Sequence, residues 1–300
     1  FSTDFKMIDL TPTEEQREIQ SLARRFAREV IRPAEIALDK MADPEEAFHS
    51  RIFRDTLKKA YSLGFHKMGI REDLGGLGLD PMTTGLVWEE LAVGGIGITA
   101  TLLAAPVVPM FLSILAPGKT DLIDRFVKPY CADTEAKHIS AWGSSEPNIG
   151  SDGSNYHDPR VYHGTKAGKD GKEWVIDGAK SSFVSNGGIA DFFLLFCCVD
   201  PSKGIPGSGV FLVPDGEGVT RGRPLDKIGM RALNQTELAF DRVRIPEDYM
   251  IMPPGDNYPM MHNAIKTVGN IGVGYLALGL LRAAYEEALA YAKERIQWGK

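Results

Sequence analysis

Apolar positions at helical spacing open the chain. Ile19, Leu22, Ala23, Phe26 and Val30 share one face of a helix whose start is marked by Thr11 as N-cap, Pro12 in the first turn and Glu14 as the acid of a capping box. The same periodicity recurs over 54–63, 82–94, 99–115 and 119–130, so the first third of the chain is expected to be helical. Near His138 the pattern changes. β-Branched and aromatic runs at 174–176, 192–198, 209–213 and 237–245 are separated by Gly, Asp and Pro turns, which predicts an antiparallel β-domain. Within it, 166–172 reads as a polar, solvated hairpin tip. Helical periodicity returns at Pro259, with Ala277, Leu280, Leu281, Ala284, Leu289 and Ala292 as an apolar face that runs to the end of the sequence. Such a face must be buried against something: helices that this sequence lacks, another chain or, as the alternative, the N-terminal domain alone. The expected fold class is therefore α+β. An N-terminal all-α domain (1–135) is followed by a middle antiparallel β-domain (136–250), then by a linker and the first helix of an incomplete C-terminal helical bundle (251–300).

Bulk composition narrows the function classes. Three hundred residues, 43% hydrophobic and 25% charged, suit a globular protein of two or more domains. A net charge of −6, with no basic stripe, disfavours nonspecific nucleic-acid binding. The apolar stretch 96–115 is interrupted by Gly97, Pro106 and Pro109 and reads as buried helix, so no membrane span is expected. No metal site is expected. The three cysteines are Cys131, Cys197 and Cys198; neighbours on one strand point to opposite faces and do not pair readily, which fits a reducing compartment, either bacterial cytoplasm or mitochondrial matrix. The chain begins with Phe1, whereas Met7 would make a natural start, so 1–6 read as leftovers of processing or cloning, and no secretory signal is seen.

Residues 142–152, WGSSEPNIGSD, place hydroxyls, glycines and acids on a short loop beside a short apolar run. That composition suits a ligand-binding loop and equally an ordinary surface loop. Its companions decide between them. Residues 174–191, WVIDGAKSSFVSNGGIAD, read as a strand, a turn at Asp177 and Gly178, and a second strand. GMRALNQTELAFDRVRIP follows at 229–246 and YAKERIQWGK at 291–300. In this order, with EDLGGLG at 72–78 and EEL at 89–91, the motifs resemble the acyl-CoA dehydrogenase family of flavoproteins from about Leu10 to Lys300.

The resemblance implies FAD against the β-domain, although neither G-x-G-x-x-G after a strand nor G-x-x-x-x-G-K-[ST] occurs. Residue by residue, it implies that Ser145, beside Ser144, donates to the flavin pyrimidine edge near N1 and O2 and that Ser185 bonds N5, with Trp142 and Phe183 packed about the ring. Fixed donors there stabilise the negative charge that the flavin gains with hydride. Serine stands where threonine is more usual, keeping the donor and losing the methyl that restricts its rotamer. Arg295 and Trp298 are implied to reach the FAD of a neighbouring subunit, hence a homodimer or homotetramer, or a hetero-oligomer. Ser151 is implied near the CoA arm, with Thr99, Leu103 and Val107 in the acyl-pocket wall. Trp174 is read as β-domain core.

The implied reaction is α,β-dehydrogenation of an acyl-CoA thioester, with electrons passed to an electron-transfer flavoprotein. Its base is a carboxylate, and at one of the family's two positions for it this chain has Gly269, followed by Asn270 where arginine is frequent. The base is therefore expected beyond Lys300; Glu286 and Glu287 read as solvated helix residues. Two other readings keep the flavin cradle: an oxidase or monooxygenase, and a base-less subunit of a hetero-oligomeric dehydrogenase.

Overall fold

The computed structural model describes residues 11–299, so the expectations for Phe1 and Met7 lie outside the described residues. The first helices are α1 (Glu14–Phe26), α2 (Arg32–Asp39), α3 (Pro44–His49) and α4 (Arg51–Ser62), with a π-helical turn at Ala27–Ile31 joining α1 to α2. They are followed by α5 (Pro81–Gly94), α6 (Ile96–Ala104), α7 (Val107–Leu115), α8 (Thr120–Leu122) and α9 (Lys128–Ala132). Helix α1 starts two residues later than the sequence suggested. Thr13, not Thr11, is the N-cap, and Gln16 rather than Glu14 closes the capping box by bonding back to the Thr13 N–H at 3.0 Å. Replacing Thr13 by alanine is expected to lower stability by about 1 kcal/mol, read as a shift in the urea midpoint at constant m. The stretch 99–115, expected as one helix, is two, because Pro106 lacks the N–H that would continue the ladder.

The β-domain holds β1 (Ser140–Gly143), β2 (Lys166–Asp170), β3 (Glu173–Ser185), β4 (Phe192–Cys198), β5 (Ser208–Pro214), β6 (Val219–Arg221), β7 (Gln235–Pro246) and β8 (Met250–Met252). The strand order is β6-β7-β3-β2-β4-β5-β8, with β1 also on β4. The sheet is mixed, not purely antiparallel: β1 runs parallel to β4, pairing Trp142 with Leu194, and β2 meets the end of β4 in parallel. Strand β4 is buried at every residue, which explains its unbroken apolar run, whereas β7 alternates buried Thr236, Leu238 and Phe240 with exposed Glu237 and Ala239. The turn expected at Asp177 and Gly178 is instead a bulge inside one continuous strand. Gly178 takes φ +139°, and a Cβ there would lie 2.6 Å from the Thr165 Cα. The polar tip at 166–172 is mostly strand β2, with the turn confined to Gly171 and Lys172. Trp174 is core, 8% exposed and edge-on to Phe211 at 5.3 Å.

The long helix α10 (Tyr258–Glu294) lies across α5. The two come close because a Cβ on Gly279 would sit 2.4 Å from the Glu89 carbonyl oxygen, a gap only glycine permits. Arg282 bonds both Glu89 and Glu90, and Arg24 of α1 reaches the same Glu90 at 2.7 Å. Burial opposes ionisation of Glu90, but the two guanidiniums hold its carboxyl below the usual range. The apolar face anticipated on α10 stays outside this packing: Leu280 and Leu281 are exposed, and Leu276, Gly279 and Ala283 are buried instead. Both 96–115 and 258–294 are long and apolar enough to cross a membrane, but 72% of the first is buried within the protein.

Candidate functional site

A cavity of about 990 Å³ opens between three walls. The helical wall carries Trp88, Leu103, Val107 and Phe111; the β wall carries Trp142, Ser144, Ser145, Ser151, Phe183 and Ser185; α10 closes the third side from His262 to Ala277. Residues 40 positions apart are brought together on the β wall because β1 and β3 end side by side, with the Ser181 N–H donating to the Ser145 carbonyl at 3.0 Å.

The 142–152 loop is held from beneath. Glu146 is 5% exposed and Lys180 1%, and the Lys180 ammonium donates to Glu146 Oε1 and to the Phe196 carbonyl, both at 2.6 Å. Glu146 also accepts from the Gly164 and Thr165 N–H groups. Across the turn at Pro147 and Asn148, Glu146 and Ile149 exchange backbone hydrogen bonds of 2.8 and 3.1 Å. A buried ion pair with its remaining lone pairs satisfied is thus the foundation on which Ser144 and Ser145 stand. The second loop is fixed by Asn186, in the left-handed region at φ 63°, whose side chain donates to the Thr101 carbonyl of α6 at 3.0 Å.

The exposed polar groups on the β wall are donors. The Ser145 hydroxyl has no partner among the described residues, and the Ser185 hydroxyl accepts from Gln235 at 3.3 Å, leaving its own hydrogen available. Trp142 Nε1 and Ser181 Oγ are buried without a partner, and both residues line the cavity. The Trp142 ring is stacked on Phe196 at 5.7 Å and 25°, and Phe183 is 65% exposed toward the space. Unpaired donors beside flat aromatic surfaces fit the polar edge and face of a planar heteroaromatic cofactor.

Several expectations land in this cavity and some do not. Leu103, Val107 and Ser151 line it. Thr99 does not: it is fully buried, its hydroxyl donating to the Gly95 carbonyl at 2.7 Å, because the residue falls on the core side of α6. Arg295 and Trp298 lie beyond the exposed end of α10 and outside this cavity. Among the lining residues that escaped the sequence reading are the polar Ser181, Gln235, His262 and Lys266. Ser181 and Gln235 lie inside the quoted motifs, and the alternation of β3 and β7 could have placed them on the cavity side; nothing local marks His262 or Lys266. Among the described lining residues none is Asp or Glu, and the titratable groups are His66, His262, Lys266 and Tyr275. Gly269 is part of the wall, and the nearest atom to a Cβ built on it is 3.8 Å away, in the Trp142 ring.

Fold and site together define a flavin-dependent oxidoreductase: a helical layer, a β-domain and a helix enclosing a slot with donors on one side. Family models of the acyl-CoA dehydrogenase N-terminal domain and middle domain match residues 13–134 and 141–243. A short-chain-specific acyl-CoA dehydrogenase of Clostridium acetobutylicum is 30% identical over 98% of this chain and 72% of its own length. Among solved structures, butyryl-CoA dehydrogenase of Megasphaera elsdenii superposes with a TM-score of 0.81 at 28% identity, covering 98% of this chain and 72% of its own. The structure described for the electron transferring flavoprotein of Acidaminococcus fermentans gives 0.82 at 27% identity, with the same coverage. The chain belongs to the acyl-CoA dehydrogenase family. It is an oxidoreductase of the class that acts on CH–CH groups, and its cofactor is FAD.

Proposed function

We propose that this chain dehydrogenates an acyl-CoA thioester between its α and β carbons and passes the electrons to an electron-transfer flavoprotein. The observation that carries the reading is the convergence of two hydroxyl-bearing loops on one wall of an apolar cavity. Ser145 and Ser185 would hold the flavin ring edge, Trp142 and Phe183 would pack about it, and Ser151 would lie near the CoA arm. FAD, when bound, supplies the hydride acceptor. The chain's own residues aim donors at the edge where negative charge collects, exclude water with Leu103, Val107, Phe111 and Trp88, and orient the thioester between the β wall and α10. We place the carboxylate base outside residues 11–299, because no acid lines the cavity within them. The three buried, unpaired cysteines suit a reducing compartment, bacterial cytoplasm or mitochondrial matrix.

The test is an anaerobic absorbance titration of the flavin-loaded protein with a panel of acyl-CoA thioesters. Bleaching by one thioester class is expected, followed by reoxidation with electron-transfer flavoprotein faster than with dioxygen. Faster reoxidation by dioxygen would turn the reading to an oxidase, and flavin that no thioester bleaches would turn it to a base-less subunit.

A further inference from the structure

The cavity ends where α5 and α10 come together. The two helices run in the same direction and touch in register, Gly85 with Tyr275, Glu89 with Gly279 and Glu90 with Arg282. On α5 the cavity lining runs from Pro81 to Trp88 and on α10 from His262 to Ala277; past those residues the helices meet and neither lines it. Tyr275 stands just before that contact, nine residues and so about 14 Å along the axis from Lys266 at the other end of the lining. A long side chain leans toward the N-terminus of its helix, which for α10 is the cavity side. The Tyr275 ring fills the notch left by Gly85: a Cβ built there would lie 2.2 Å from Tyr275 Cζ and 2.5 and 2.6 Å from its two Cε atoms, so any larger residue would push the ring away. Nearby, Leu103 of α6 sits on Gly272 in the same manner, with a Cβ there 2.9 Å from Leu103 Cδ1. Tyr275, Gly85 and Leu103 all line the cavity, so the phenol ring and the leucine side chain close this end of it.

We infer that Tyr275 is a specificity residue: its ring, seated on Gly85, is the stop that fixes how long an acyl chain the cavity accepts. The inference rests on the acyl-CoA reading, with the thioester between the β wall and α10 and the acyl tail directed toward α5. The walls on that side are apolar, with Trp88, Ala100 and Leu103, so each methylene that enters tightens binding about fourfold. A chain that reaches the ring has to displace it, and in an apolar pocket one methylene too many costs about tenfold or more. The class selected is therefore straight-chain acyl thioesters that end at or before the ring.

The experiment titrates the flavin-loaded protein by calorimetry with straight-chain 2-enoyl-CoA thioesters of increasing length, the products of the proposed reaction, which bind without being turned over. Affinity is expected to rise with length and then to break at one length. In Tyr275→Ala the break should move to longer chains, and the first thioester that the parent rejects should bind about tenfold tighter than it does to the parent. In Gly85→Ala the added methyl takes the notch and pushes the ring into the cavity, so the break should move to shorter chains; adding Tyr275→Ala to it should move the break back out. If Gly85→Ala does not fold, Tyr275→Ala and Tyr275→Leu carry the comparison. No break in the parent, or a break at the same length in Tyr275→Ala, overturns the assignment. Bleaching of the flavin by the saturated thioesters is followed separately. A break that moves while no thioester bleaches the flavin would remove the dehydrogenase reading and leave the stop standing; bleaching with an unmoved break would do the reverse.

Discussion

Replacing Ser145 and Ser185 together by alanine is expected to weaken binding of the oxidised flavin by about 1–3 kcal/mol, two neutral hydrogen bonds at about 0.5–1.5 each. Both side chains are part-exposed on the cavity wall, and neither hydroxyl is donated to another group among the described residues. The melting temperature of the flavin-free protein should therefore change little. The flavin that remains should show a lower reduction potential, because the donors stabilise the reduced form more than the oxidised one. The measurement is flavin retention on dilution together with the midpoint potential. A spectrum and potential identical to the parent's would sink the assignment of these two serines.

Lys180→Met is expected to destabilise the fold by about 3–5 kcal/mol, since it strands the Glu146 carboxylate in the interior without a cation. Side-chain exposures of 0% for Lys180 and 1% for Glu146 leave no room for water to take over. Lys180→Met with Glu146→Gln should recover part of the loss, because both charges then disappear; the Gln oxygen keeps one of the two N–H bonds, since Gly164 and Thr165 donate to different carboxylate oxygens. Denaturant midpoints for the two single variants and the double variant close the cycle. A single variant as stable as the parent would show that the pair does not hold the 142–152 loop. The same variant should also bind flavin less well, because the Ser145 carbonyl is anchored by the N–H of Ser181, the residue after Lys180.

How much of this was legible in the sequence depended on the range of the forces involved. Helix α4 and strand β7 declared themselves by periodicity, since burial of one face repeats every few residues, and β4 and β5 by short unbroken apolar runs that fit strands buried on both faces. The β3 bulge did not: an Asp-Gly pair has the same composition in a hairpin turn and in a strand, and the difference is made by Thr165 packed against Gly178, 13 residues away in the chain. The parallel pairing of β1 with β4 was hidden likewise, because four residues of Ser, Ala, Trp and Gly say nothing of their neighbour. In the site, the family resemblance implied Trp142, Ser145, Phe183 and Ser185 about one ring, and all four line one wall of the cavity. The resemblance misplaced Thr99, because an apolar stretch that is buried all round carries no signal for which side faces a cavity.

Helix α10 spans 37 residues, so it is about 55 Å long at about 1.5 Å per residue. Gly269 lines the cavity, and Arg295 stands 26 residues further on, which places it about 39 Å along the same axis. No side chain bridges that gap. If Arg295 and Trp298 serve a flavin, it is held in another copy of the chain, and the cofactor then acts as a clamp between protomers. Flavin retention would in that case fall with protein dilution at fixed free FAD, as a mass-action property of the assembly rather than of the single chain.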